Sequence, residues 1–222
     1  MSEHVQKRSL YSAKTYRRYA KKRSKGRTFS SVIIFLIGLS IFLYPHVAQY
    51  INNLSATRIV EEYTASVMAS ENGTAVAGDD EGVNALGYNE EDVYGTIFIP
   101  KLSLELPIYV GDTDANLSRG IAHMEGTSLP VGGNSTHSVL AGHNGMVTNE
   151  WFTNIDKLTE GDLFYVRNGT TVLTYSVVAI AMIDPTDTSS LYIKEGRDLV
   201  TLLTCDDTGA KRLIVTGERV VE

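Results

Sequence analysis

Cys205 is the only cysteine in the chain, so it can form neither an internal disulfide nor a cysteine-rich zinc site. It ends the run Leu199-Val-Thr-Leu-Leu-Thr-Cys205 and is followed by Asp206-Asp-Thr-Gly209, a turn sequence. A cysteine closing an apolar strand is by default a small core hydrophobe. The turn directly after it, however, puts the thiol where the strand surfaces, and a nucleophile could work there. Residue chemistry alone leaves both readings open. A nucleophilic thiol needs a proton partner and a group that favours thiolate and developing oxyanion. Of five histidines, His4 lies in a basic head and His46 in an apolar run, leaving His123, His137 and His143. His143 sits in Ala141-Gly-His-Asn-Gly145, a turn bracketed by glycines at the end of the run His137–Ala141, a setting that suits the rim of a sheet. His137 begins that same run, and His123 lies in Ile121-Ala-His-Met-Glu-Gly126, which has no clear conformational signal. Arg212 opens Arg212-Leu-Ile-Val-Thr216, seven residues after Cys205. If a short loop joins two strands there, its guanidinium can return to the thiol and hydrogen-bond a carbonyl or oxyanion. Its plain alternative is a salt bridge to Asp206 or Asp207.

The elements that must position these groups are short. Gly95–Pro100, Leu106–Val110, His137–Ala141, Asp162–Arg167, Thr171–Ile183, Leu199–Cys205 and Arg212–Val221 read as strands separated by turn residues. Seven or so strands over about 130 residues predict a mainly β fold, a closed barrel or a sandwich. Two short helices fit the gaps, near Asp114–Ser118 and 149–158, and Trp151-Phe152 in the second reads as core packing. The whole chain, 222 residues, suits one globular domain with an appendage.

That appendage is N-terminal. The net charge of −6 excludes a uniformly basic nucleic-acid binder, but it averages two unlike regions. Residues 1–28 hold ten of the twenty Lys and Arg against one acid, and everything after them carries a net charge of −15. From Phe29 to Ala48 there is no acid, Lys or Arg, a length that spans a bilayer core as a helix. Tyr44 and Tyr50 suit the outer interface, Pro45 sits near the far end where a break costs little, and the Lys/Arg bias predicts a cytoplasmic N-terminus. The basic head suits anionic lipid headgroups rather than nucleic acid. A cleaved signal peptide is the competing reading, opposed by the long basic region and the lack of a small-x-small cleavage site. No second stretch of that length follows and no internal repeat is apparent. Ile59, Val60, Tyr63 and Val67 predict a separate amphipathic helix over Leu54–Met68, and residues 70–92, acidic and Gly-rich, read as a linker or flap. The predicted division is a basic head 1–28, an anchor 29–50, a helical and acidic linker 51–93 and a β domain 94–222.

Taken together, Thr201-Leu-Leu-Thr-Cys205, Arg212 in Lys-Arg-Leu-Ile-Val215 and Ser138-Val-Leu-Ala-Gly-His143 resemble the signature segments of the sortases, membrane-anchored cysteine transpeptidases of Gram-positive bacteria. Ile99-Pro-Lys-Leu102, Leu106-Pro-Ile-Tyr-Val-Gly111, Leu117-Ser-Arg-Gly120, Gly126 to Gly133 and Leu158-Thr-Glu-Gly-Asp162 are similar to the class C, pilus-assembling branch, and the likeness is collinear over about 94–220. The resemblance implies an eight-stranded β-barrel with short helices on the extracellular face. It also implies cleavage of an LPXTG-like sorting signal of a pilin or surface protein through a thioacyl enzyme. Transfer to an amine follows, from a pilin lysine or a cell-wall precursor. By motif, Cys205 matches the nucleophile, His143 the general acid/base and Arg212 the substrate- and oxyanion-stabilising arginine. No cofactor or metal is implied. Pilus sortases usually carry a lid with an Asp-Pro-aromatic motif, whereas residues 70–94 contain no proline, so that plug is expected to be absent or replaced. The usual second, C-terminal span is not found before Glu222. A housekeeping or accessory sortase is therefore the alternative within the family. Papain-like hydrolases place Cys before His on a helix N-terminus, the reverse of the order here, and a non-catalytic adhesin module would need none of these groups. The five Asn-x-Ser/Thr sequons, at Asn53, Asn72, Asn116, Asn134 and Asn168, read as turn composition in a bacterial protein.

Overall fold

A computed structural model describes residues 25–69, 92–145 and 151–221. The basic head, but for its last four residues, the flap expected over 70–92, but for Asp92, and residues 149 and 150 of the second short helix lie outside the described residues. The chain divides at Pro45/His46 into two units, the second running from His46 to Glu222.

Helix α1 spans Lys25–Ala69, with Pro45 inside it. Its apolar first half exposes Phe29, Ile34, Ile41 and Phe42 by 68–70% each. Among the described residues it is the one helix long and apolar enough to cross a membrane. The sequence tolerated a break at Pro45 and suggested a further helix over Leu54–Met68, and a single helix covers both stretches. A proline removes one backbone donor, and here the later half has tertiary support that holds the geometry beyond it. Ala56 joins the barrel core and Val60 is buried, which contributes about 1.5 kcal/mol for the valine. Tyr63 donates its hydroxyl to the Tyr94 carbonyl at 3.1 Å and accepts from the Gly169 amide at 2.8 Å. The stretch expected as the start of a linker is thus packed on the β domain.

Eight strands follow: β1 (Val93–Ile99), β2 (Leu104–Val110), β3 (Ile121–His123), β4 (Thr136–Ala141), β5 (Leu163–Asn168), β6 (Thr171–Ile183), β7 (Asp198–Cys205) and β8 (Arg212–Arg219). They close in the order β1-β2-β3-β4-β7-β8-β6-β5, the barrel that the resemblance implied. Two neighbouring pairs are parallel, β2 with β3 and β4 with β7. The first crossover carries α2 (Asp114–Arg119), whose N-cap Thr113 accepts a hydrogen bond from the Asn116 amide at 3.3 Å. The second expected helix is only a short 3₁₀ turn, Ile155–Lys157, after irregular residues that bury Trp151 and Phe152 in the core. Strand β3 escaped the sequence reading because three residues carry no detectable period. Ile97, Ile108, Leu140, Phe164, Leu202 and Val215 fill the interior and are fully buried. Phe164 stacks on Tyr175 with ring centres 5.5 Å apart. The Phe164 ring lies where a Cβ at position 217 would sit, so Gly217 is the residue that lets it enter β8.

Candidate active site

Register decides which side chains can meet. Along β4 and β7 Ala141 lies beside Leu203, and between β7 and β8 Cys205 lies opposite Arg212. Successive residues of a strand point to opposite faces. His137 and Ala141, Thr201 and Cys205, and Arg212 and Thr216 therefore share the outer face, while Leu140, Leu202 and Val215 point into the core. One two-residue step beyond Ala141 reaches His143, and the same step beyond Leu203 reaches Cys205. Neighbouring strands lie about 4.8 Å apart, so Cys205 faces Arg212 across β7 and β8, and His143, two residues past the end of β4, lies at the same end of the sheet. All three are half-buried there.

Backbone bonds hold this end. The Gly142 amide donates to the Leu203 carbonyl at 3.0 Å, and the His143 carbonyl accepts from the Phe152 amide at 3.0 Å. Thr204 donates its hydroxyl to the Gly142 carbonyl at 2.7 Å. Gly142 is required by space: a Cβ there would stand 2.8 Å from the Phe152 ring. Asn144 donates from Nδ2 to the Cys205 carbonyl at 2.8 Å and to an Asp207 carboxylate oxygen at 3.3 Å, tying the histidine turn to the cysteine strand. Composition gave no reason to single out Asn144, because its role depends on two elements 61 residues apart.

The hairpin between β7 and β8 explains where Arg212 goes. Asp206 accepts from the Lys211 amide at 3.0 Å and from the Thr208 hydroxyl at 2.7 Å. These bonds, that from the Lys211 backbone first, hold its carboxyl below the usual carboxylate range. The carboxylates of Asp206 and Asp207 are thus engaged within the turn and by Asn144. Arg212 instead donates from Nη1 to the carbonyls of Gly209 at 3.3 Å and Lys211 at 3.2 Å.

The other two candidate histidines have structural partners. Nε2 of His123 lies 3.0 Å from the Ser128 carbonyl and 3.2 Å from that of Thr127. His137 sits on the outer face but is buried at the far end of the same strands, between Tyr192 and Thr201. Burial, first among several causes, pushes its imidazole below the usual histidine range. A cavity of about 380 Å³ opens elsewhere, between α1 and β2, lined by Asn53, Thr57, Ser103, Glu105 and Trp151 among others.

Residues 97–220 match the family model described as the Sortase domain. The chain is 28% identical to Sortase A of Listeria monocytogenes over 202 residues, covering 85% of this chain and 89% of that protein. The crystal structure of sortase C-1 from Actinomyces oris superposes with a TM-score of 0.60 at 39% identity, over 73% of this chain and 98% of that one. Clostridium perfringens sortase C, solved with the C-terminal cell wall sorting motif, matches with a TM-score of 0.60 at 39% identity, over 77% of this chain and 90% of that one. A closed eight-stranded barrel with cysteine, histidine and arginine at one sheet end accords with all of these likenesses, and the chain belongs to the sortase family of cysteine transpeptidases, with the class C sortases among its structural relatives.

Proposed function

We propose that this protein cleaves an LPXTG-like sorting signal between Thr and Gly and transfers the acyl group to an amine, a pilin lysine in a pilus-assembling role. The carrying observation is the register that sets Cys205 opposite Arg212, with the end of β4, two residues before His143, beside β7. The Cys205 thiolate attacks the threonine carbonyl carbon and the carbonyl electrons move to oxygen. As that oxyanion collapses, the C–N bond breaks and the departing glycine amine takes a proton from His143. An incoming amine then attacks the thioester, His143 accepts its proton, and the Cys205 thiolate leaves. Arg212 uses only Nη1 on its loop carbonyls, which leaves its Nε and Nη2 hydrogens to the substrate carbonyl and oxyanion. The apolar first half of α1 anchors the chain, with the Lys- and Arg-rich head in the cytoplasm and the barrel outside.

The similarity to Sortase A proteins supports a second reading in which the amine belongs to a cell-wall precursor and the product is a wall-anchored surface protein. One experiment judges both. The full chain in detergent is mixed with an LPXTG-type peptide, and the protein mass is measured before and after a lysine-bearing pilin domain or a precursor amine is added. An acyl adduct on Cys205, absent in Cys205→Ala and discharged by the pilin lysine, is expected. Discharge only by the precursor amine selects the second reading, and no adduct on the wild type sinks both.

A further inference from the structure

His137 is only 1% exposed and uses both ring nitrogens. Nδ1 lies 3.0 Å from the Tyr192 carbonyl oxygen, and Nε2 lies 2.7 Å from Thr201 Oγ1, itself 2.9 Å from Thr216 Oγ1. A carbonyl has no proton to give, so Nδ1 carries the hydrogen and donates. In the neutral ring Nε2 then accepts from the Thr201 hydroxyl, whose oxygen accepts in turn from Thr216. Elementary donor rules thus set the sense of the whole chain of bonds.

Tyr192 belongs to the segment linking β6 to β7, just after the short 3₁₀ turn Ser189–Leu191. Near β7 that segment is held by Gly196 on Ser135 and by the Arg197–Glu218 pair. Its middle is held to the sheet by His137. Tyr192 and Ile193 remain 66% and 57% exposed, so the pinned segment presents apolar side chains to solvent. Thr201, on which His137 leans, is four residues from Cys205 along β7, roughly 13 Å at strand rise. An extended donor peptide with its scissile carbonyl at Cys205 covers that distance in four residues.

We propose that His137 is a positioning residue for the acyl donor: in its neutral Nδ1–H form, backed by Thr201 and Thr216, it pins the Tyr192 segment over the outer face and so sets donor affinity. This role rests on the transpeptidase reading above and assigns one more residue to the same site. The charged groups around the ring favour the neutral form. Lys194 and Arg197 oppose its protonation, Glu218 on β8 is paired with Arg197, and Asp198 at the head of β7 is engaged by Gly133 and Tyr175.

The test uses the full chain in detergent micelles. With nitrogen-labelled histidine, the His137 Nε2 signal is expected in its unprotonated range at pH 7.5. His137→Phe should raise KM for the donor peptide about five- to tenfold, the scale of one lost hydrogen bond, with kcat held within about twofold. Amide exchange over 188–196 should quicken in the same variant. His137→Asn, whose amide can both donate and accept, should bring KM and exchange back towards wild type. Thr201→Val removes only the hydroxyl behind the ring and should move KM and exchange the same way, which covers a His137→Phe chain that fails to fold. A protonated Nε2, unchanged KM and exchange in the variants, or a loss confined to kcat would each overturn the proposal. A wild type that forms no thioacyl adduct would instead sink the transpeptidase reading and the donor role with it, while the nitrogen and exchange signals still judge the clasp.

Discussion

Strand β4 and the turn directly after it carry two histidines, six residues apart in sequence, under opposite regimes. At one end His137 is buried and hydrogen-bonded through both ring nitrogens to Tyr192 and Thr201. At the other, His143 is half-buried, and the bonds that hold its turn end mainly on backbone: its own carbonyl on Phe152, that of Gly142 on Thr204 and that of Cys205 on Asn144. The difference shows how one short sheet serves both stability and reaction. Where side chains bind one another the strands are locked, and where backbone bonds fix the chain the side chains stay available to a substrate. An enzyme needs the second arrangement, because a preorganised group costs nothing to orient at the moment of reaction.

The largest expected effect tests that contrast directly. His143→Ala should lower kcat about 10²- to 10⁴-fold, the usual cost of losing a general acid/base. Its stability should change by no more than about 0.5 kcal/mol, as for a surface side chain without structural bonds. Thioacyl formation rates beside denaturant unfolding of the same preparations check both halves. A clear destabilisation in His143→Ala would mean that this end is locked by side chains too, and the contrast would fail.

Gly142→Ala addresses the backbone side of the comparison and should be felt as strain. The new Cβ would meet the Phe152 ring at 2.8 Å and the Ile121 side chain at 3.0 Å, both fully buried and without room to retreat. Overpacking of this kind costs about 1–3 kcal/mol. The shift displaces His143, the next residue, so activity should fall with stability. A Gly142→Ala chain of wild-type stability and rate would show that the tight approach does not position the histidine.

Much of this site could be read from residue order, for a physical reason. Cys205 and Arg212 flank one hairpin, and the turn residues between them, Asp206 to Gly209, announce it. The pairing is local, so spacing suffices. His143 was legible as a rim residue from its glycines, and the family resemblance matched it to the general acid/base, but its level near Cys205 depends on the parallel pairing of β4 with β7, which neither reading gave. The long-range partners were not legible. Asn144 reaches Cys205, and His137 reaches Tyr192 across 55 residues, and no local pattern encodes a bond whose ends meet only in the closed barrel. The continuity of α1 through Pro45 was hidden likewise, because the packing of Ala56 and Val60 lies outside the helix's own sequence.

The smallest expected effect is a change of slope with pH, and it probes the buried end. Burial holds His137 below the ordinary value of 6.5 in the folded state. Between that lowered value and 6.5 the unfolded chain binds more protons than the native one, so stability rises with pH in this window. The contribution is fully present above about 6.5 and is lost as pH falls towards the native value. The depressed carboxyls of Asp162 and Asp206 act in the same direction but only further down, as pH falls below the unfolded value of 3.8. Urea midpoints followed by the fluorescence of Trp151 should therefore decline between pH 7.5 and 5.5 in the wild type. His137→Asn, which has nothing to titrate at that position, should decline less, and the difference between the two slopes isolates this one imidazole. Coincident slopes would mean that His137 titrates in the fold as freely as in the unfolded chain, so that burial does not disfavour its charged form.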